Sequence, residues 1–277
     1  MDIPKELELP YDKVEARIEE GIKRYIDEYK IDRAIIGISG GLDSSVTAYL
    51  TSRAIGSDKV VGVTMNDTVT PEKDRIDARR VFEELRIRHL DVDITSIGSS
   101  LTELLNEKLF LNFSPGELRK LSEQKIRNTY SNIKPRLRMT ILYFFANRLN
   151  GSVIGTSDKS EILLGYFTKY GDGAADILPI GDLKKTQVRA LGSYLGLPES
   201  ILSKKSSPAL LPNQTAEGEL GVDYKTADLI FHYGFDQKLT KEEVVEKLNI
   251  APSVVENVYE RVRMAEHKRS MPPIIKI

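Results

Sequence analysis

Between Ile35 and Tyr49 the chain reads IIGISGGLDSSVTAY, an apolar run that ends in small residues and then an acid among hydroxyls. Gly40 and Gly41 permit close backbone approach and turn dihedrals that side chains obstruct, and the amides at the start of a following helix favour an anion. Ser39, Ser44 and Ser45 add hydroxyl donors, and Gly37 belongs to the same corner. Asp43 cannot favour a polyphosphate directly. Its best use is to share a divalent cation with the phosphates. The stretch lacks the lysine and spacing of the common P-loop, and its glycine spacing is not the dinucleotide fingerprint. A glycine turn with an ordinary Asp or Ser helix cap accounts for the same residues, so both readings stand at this point.

A second group is SNIKPRLRMTILYFF, where Pro135 suggests a first helical turn carrying Arg136 and Arg138, with Lys134 beside them. Cations at the positive end of a helix dipole call for a compensating anion, which favours a phosphate clamp. Solvation or a structural pair with an acid is the simpler alternative. A third group follows a candidate strand at 151–155. Thr156, Asp158 and Glu161 share its exit loop and helix start. Asp43 and Glu161 could bridge magnesium to ATP if the two strand ends are neighbours. Lys159, Lys169 and Lys185, beside glycine-rich loops, could neutralise phosphate during adenylyl transfer, whereas a solvated charge run explains any one of them alone.

SGGLDSS resembles the signature of the ATP pyrophosphatase (PP-loop) superfamily, whose members activate an oxygen with ATP and release pyrophosphate. Together with NIKPRLRM, GTSDKSE, GYFTKYGDGAADILPIGDLKK and NQTAEGELG, it resembles the ammonia-dependent NAD synthetase family across roughly residues 12–265. FTKYGDG is the specific block; the first motif alone also fits guanylate, argininosuccinate-type and tRNA-modifying relatives. The resemblance implies that ATP adenylates the nicotinate carboxylate of deamido-NAD, and that ammonia then attacks the acyl adenylate to give NAD and AMP. It puts Ser39, Gly40, Gly41, Ser44 and Ser45 around the leaving pyrophosphate, and assigns Asp43 and Glu161 to Mg2+, Thr156 to ATP and Lys185 to phosphate. Arg136 and Arg138 fall to the reacting-phosphate side. Lys159 falls to the phosphates, Lys169 and Asp172 to the deamido-NAD pocket, and Ser207 and Gln214 to phosphate or loop closure. Asp43, Lys169, Asp172 and Lys185 are the catalytic candidates.

The family resemblance further implies a homodimer with dinucleotide sites near its interface. Longer relatives carry a glutamine-hydrolysing domain for which 277 residues leave no room, so free ammonia is the expected nitrogen donor. Two departures bear on this. The late family pattern has Asp before its Glu, where this chain has Ala216 before Glu217. The order in KKSSPALLP, around Pro208 and Ala209, also differs.

These residues need elements to position them. The order of helix (11–29), strand (34–38), helix (44–55), strand (60–65), helix (to 86, with Thr70 as N-cap and Pro71 first) and strand (90–94) predicts an α/β, Rossmann-like, doubly wound, mostly parallel sheet. Acids alternating in the third strand suggest a sheet edge. A short helix at 101–110 and an irregular stretch at 112–132 follow, then a helix at 135–149, a loop at 170–181 and a helix at 185–194. Residues 197–221 read as an active-site loop, and helices at 224–233, 240–248 and 253–268 close the chain; Thr240 with Glu243 and Ser253 with Glu256 have capping-box spacing. The whole, 1–277, reads as one domain with helical additions.

An apolar fraction of 40% supports a large core, and the absence of cysteine removes disulfides, thiolate metal sites and persulfide chemistry. A formal charge of −1 gives no global reason for nucleic-acid binding, and no apolar run or basic leader suggests a membrane, so a soluble cytoplasmic protein is expected. His89, His232 and His267 are scattered without triad or metal spacing. Another PP-loop adenylating enzyme, either tRNA-modifying or a small-molecule synthetase, and a nonenzymatic nucleotide sensor are the remaining alternatives.

Overall fold

A computed structural model of the protein describes residues 3–118, 128–207, 210 and 214–276. Among these residues the sheet has four strands, β1 (Arg33–Gly37), β2 (Val60–Asn66), β3 (Arg88–Asp93) and β4 (Gly151–Val153), in the order β3-β2-β1-β4. All neighbouring pairs are parallel, with Ile35 opposite both Val61 and Val153. Period-two geometry sends alternate residues of β1 to opposite faces. Ala34, Ile36 and Ile38 join one core with Ile22, Val46, Leu50, Val81 and Leu191, whereas Ile35 joins Val61, Val63, Met139, Leu142 and Val153 in another. The sheet is therefore covered on both faces, as expected. Helices α1 (Tyr11–Glu28), α2 (Leu42–Ile55) and α3 (Glu72–Leu85) cover the first face. Helix α5 (Ile133–Arg148) covers the second, with α4 (Thr95–Asn112) beside it.

Glycine at 62 is a packing requirement. A Cβ there would lie 2.2 Å from Phe82 Cε1, so α3 can lie close on β2 only with hydrogen at this position. β3 is the edge strand, and its residues alternate between exposed and half-buried.

Several expected boundaries move. Thr70 does not cap α3. Its hydroxyl donates to Asp67 Oδ1 at 3.0 Å, and Pro71, which offers no side-chain cap, occupies the N-cap. Ile94 leaves the strand to precede α4, which runs from Thr95 rather than Leu101. Helix α6 (Lys159–Leu164) follows β4, and α7 (Lys185–Tyr194) forms where expected. Part of the irregular 112–132 stretch, and Pro208 and Ala209, lie outside the described residues.

After α7 comes a helical subcore. Helices α8 (Tyr224–Ile230), α9 (Lys241–Leu248) and α10 (Pro252–Met264) bury Ile230, Val244, Val255 and Val258 together with Leu164 of α6. Thr240 and Glu243 form the expected capping box. Ser253 does not, because Pro252 takes the first helical turn and Ala251 becomes the N-cap. The expected 224–233 helix passes instead into a π-helical segment at Phe231–Asp236, and the last helix breaks after Met264 before a further turn at Glu266–Arg269.

Candidate nucleotide and metal site

The chain winds outward from β1 to β2 and β3, then returns to place β4 on the other side of β1. The strand order therefore reverses between β1 and β4, and at that crevice an open parallel sheet offers its carboxyl ends to a ligand. The glycine corner leaves β1 there, and Thr156, Asp158 and Glu161 leave β4. The adjacency that the Asp43–Glu161 pairing required is thus built by the topology.

Gly40 has φ +74°, and a Cβ on it would lie 2.1 Å from Asp74 O, so the turn needs glycine both for its dihedral and to pass under α3. Gly41, at φ −87°, is extended and serves as N-cap of α2 without a side-chain cap. The serines brace the turn. Ser45 Oγ donates to Gly41 O at 2.7 Å, Ser44 Oγ lies 3.2 Å from Ser39 Oγ, and Ser39 Oγ accepts from Gly41 N at 3.3 Å. Ser44 and Ser45 are buried whereas Ser39 is exposed, which divides scaffold from contact surface. Lys204, from the 197–221 excursion, reaches this turn: its ammonium donates to Gly40 O at 2.8 Å and pairs with Asp74 and Asp77. Sequence reasoning did not single it out.

Beside the turn, ligand oxygens of Asp43, Asp158 and Glu161 lie within 4.8 Å of one another. Lys185 Nζ sits among them, 2.8 Å from each of the three carboxylates. Lys185 is buried, and burial alone would pull it toward the neutral amine. The charges of Asp158, Asp43 and Glu161 reverse that and hold its pKa well above the ordinary lysine value. Burial pushes Asp158 up to about 6, with Lys185 opposing and Asp43 adding to the rise. Glu161 is raised for the same reasons, burial first, then against Lys185 and with Asp158 and Asp43.

Three carboxylates with one ammonium leave a formal charge near −2, which suits a hard divalent cation with oxygen ligands. Asp43 Oδ1 is buried without a hydrogen-bond partner among the described residues, as a ligand atom would be. The donor set therefore fits magnesium. Asp158 stands beside Asp43 and Glu161 in it, whereas the sequence offered only the latter two as metal candidates. The missed signal was local: Asp158 Oδ1 accepts from Glu161 N at 2.8 Å, so an unremarkable helix cap also turns its other oxygen to the cluster.

The remaining candidates lie in other settings. Lys159 is engaged by Asp182 and Asp236 at 3.2 Å each, a structural pairing that its phosphate role did not foresee. Arg136 Nε donates to Lys169 O at 3.3 Å, and Arg138 Nε donates to Met65 O at 3.3 Å. Lys134 pairs with Asp67 at 2.7 Å. Asp172 Oδ1 accepts from Thr168 N at 2.9 Å, folding the FTKYGDG block into a compact loop. Lys169 donates to His267 O, and Lys268, which lies outside every motif, donates to Gly165 O and Phe167 O at 2.7 and 2.8 Å. The block is thereby pinned between the start of α5 and the chain's last helical turn. An open groove of about 550 Å³, lined in part by Arg136, Tyr143, Phe144 and Tyr170, runs alongside. Ser207 Oγ donates to Gln214 O at 2.6 Å, a loop-closing bond. Ala216 is 1% exposed in the helical subcore, so the carboxylate absent from this position is absent from a core-facing one.

A parallel sheet with an anion-ready turn at its switch point, and carboxylates from both flanking strand exits beside it, defines an α/β nucleotide-binding protein. Residues 14–272 match the NAD synthase family, and the chain belongs to it. It is 45% identical over 269 residues to the NH(3)-dependent NAD(+) synthetase of Staphylothermus marinus, covering 97% of this chain and 92% of that protein. The corresponding protein of Methanocaldococcus jannaschii is 40% identical over 262 residues, or 94% of this chain and 95% of that one. Among solved structures, an NMN synthetase from Francisella tularensis superposes with TM-score 0.79 at 28% identity, over 98% of this chain and all of that one. The NH3-dependent NAD synthetase of Campylobacter jejuni does so with TM-score 0.75 at 26% identity, over 97% and 100%.

Proposed function

We propose that the protein joins ammonia to the nicotinate carboxylate of deamido-NAD at the expense of ATP, giving NAD, AMP and pyrophosphate. The observation that carries this reading is the meeting of Asp43 from the β1 exit with Asp158 and Glu161 from the β4 exit, beside the glycine turn, in a chain of this family. The amides opening α2 and the exposed Ser39 receive the β- and γ-phosphates, with Gly37, Gly40 and Gly41 keeping the backbone close. Asp43, Asp158 and Glu161 would hold Mg2+, which would supply positive charge against the phosphates. Lys185 balances the carboxylates, whose charges hold its ammonium well above the ordinary lysine range. Thr156 stands at the crevice for the nucleotide.

Lys169, Asp172 and Arg136 hold the deamido-NAD so that its carboxylate oxygen attacks the α-phosphorus as pyrophosphate leaves. Ammonia then attacks the acyl carbon, AMP leaves, and the ammonium proton passes to a neighbouring base. Arg138 supports the same basic corner.

The groove beside Arg136 and the apolar face of α4 support a dimer with the dinucleotide site near its interface. Ile97, Leu104, Leu105 and Phe113 are each about half exposed at 48–51%, and Phe144 of α5 is 64% exposed, apolar side chains that water disfavours and a second copy would cover. The test of function is product formation from ATP, Mg2+, deamido-NAD and ammonium, with each omitted in turn. NAD, AMP and pyrophosphate in equal amounts are expected. A folded, magnesium-supplied protein that makes no NAD would defeat the reading. A parallel assay with nicotinate mononucleotide separates a preference for the dinucleotide from one for the mononucleotide.

A further inference from the structure

Asp228 is fully buried in α8 and joins the starts of two other helices. One carboxylate oxygen accepts from Ser160 Oγ of α6, and the other accepts from Thr186 N and Thr186 Oγ1 of α7 at 2.8 and 2.7 Å. Ser160 Oγ in turn accepts from Lys185 N at 3.0 Å. The face of α8 that carries Asp228 is therefore fixed against the backbone of the lysine at the centre of the acid cluster.

Tyr224 lies one helical turn earlier on that face. Its ring centroid is 5.3 Å from Lys185 Nζ, so it roofs the same ammonium. The residue is 5% exposed, yet its hydroxyl has no hydrogen-bond partner among the described residues. A buried unpaired hydroxyl is costly, and packing alone would be served as well by phenylalanine. Burial, with Glu161, Asp158 and Asp43 outweighing Lys185, raises the phenol far above the ordinary tyrosine value. The group thus keeps its proton and is available as a donor.

We propose that the Tyr224 hydroxyl is a binding group of the ATP site, donating to an oxygen of the cation–triphosphate complex held by Asp43, Asp158 and Glu161. That oxygen belongs either to a phosphate or to a water on the cation. The inference rests on the reading of this cluster as the ATP–metal site. The experiment is calorimetric titration of the full chain and of Tyr224→Phe with MgCl2 alone and with MgATP, together with thermal unfolding of both ligand-free proteins. A donor lost from a charged oxygen weakens MgATP binding by about tenfold, while the ligand-free unfolding midpoint stays level or rises. Weakening in both titrations assigns the partner as water on the cation, and weakening with MgATP alone assigns a phosphate. Unchanged affinity in both titrations, whatever the midpoint, overturns the inference and leaves the ATP-site reading standing. Failure of the unsubstituted protein to bind MgATP overturns both.

Discussion

At the scale of single residues, the acid cluster is set by a competition between burial and charge. Asp158 is held up to about 6, so below that pH it carries a proton that a cation must displace. The sign follows: magnesium affinity rises with pH through about 6, by up to about tenfold per unit for each proton released, and Glu161, raised for the same reasons, extends the rise in the same direction. Calorimetric titration with MgCl2 between pH 5 and pH 8 measures it, and Asp158→Asn should flatten the profile while weakening binding. Lys185 behaves oppositely, staying charged across that range, and its removal leaves three carboxylates crowded in a low-dielectric site. Lys185→Met is expected to cost about 3 kcal/mol of stability in denaturant unfolding, with part of the loss restored by MgCl2 because the cation replaces the missing charge. Asp43 and Glu161 were legible from their positions after two strands. The place of Lys185 between them was not, since 142 residues separate it from Asp43 and no local pattern encodes such a contact.

At the scale of elements, the glycine turn is shaped by what lies behind it as much as by what it binds. Gly40 points its missing side chain at the backbone of α3, so Gly40→Ala meets both the positive φ and a 2.1 Å approach to Asp74 O. A loss of about 2 kcal/mol or more is expected, seen as a lower unfolding midpoint together with weaker MgATP binding. Lys204→Met should act on the second readout more than the first, because it releases Gly40 O and the acids at 74 and 77 without opening the core. Local signals transferred well from sequence to structure where one interaction decided them: the box at Thr240 and Glu243, the buried runs of β1 and β2, the edge character of β3. They failed where two compete. Pro252 outranks Ser253 at the start of α10, and Asp67 draws the Thr70 hydroxyl away from α3. Residues 231–236 widen into a π-helix, for which the apolar spacing gave no sign.

At the scale of the whole molecule, two faces of the sheet are closed by α1, α2, α3 and α5, while α4 lies outside both cores with no buried side chain among its described residues. Its sequence carried that information only ambiguously. A run such as Leu101, Leu104, Leu105 and Leu109 specifies an apolar face, but not whether this chain or another covers it. The structure leaves these leucines 36–51% exposed on a helix that touches α5, which carries Arg136 and Phe144 of the groove. A dimer closing over α4 would bury the leucines and bring a second chain to the mouth of the proposed dinucleotide site. Leu105→Glu sets a charge in such an interface while altering little in the isolated chain, so it should halve the mass measured by light scattering with the unfolding profile of the sheet retained. Because the acid cluster lies at the β1–β4 crevice within one chain, MgATP binding should survive in this variant while the apparent KM for deamido-NAD rises. Equal losses for both ligands would mean instead that dissociation disturbs the whole fold, and an unchanged mass would remove α4 from the interface.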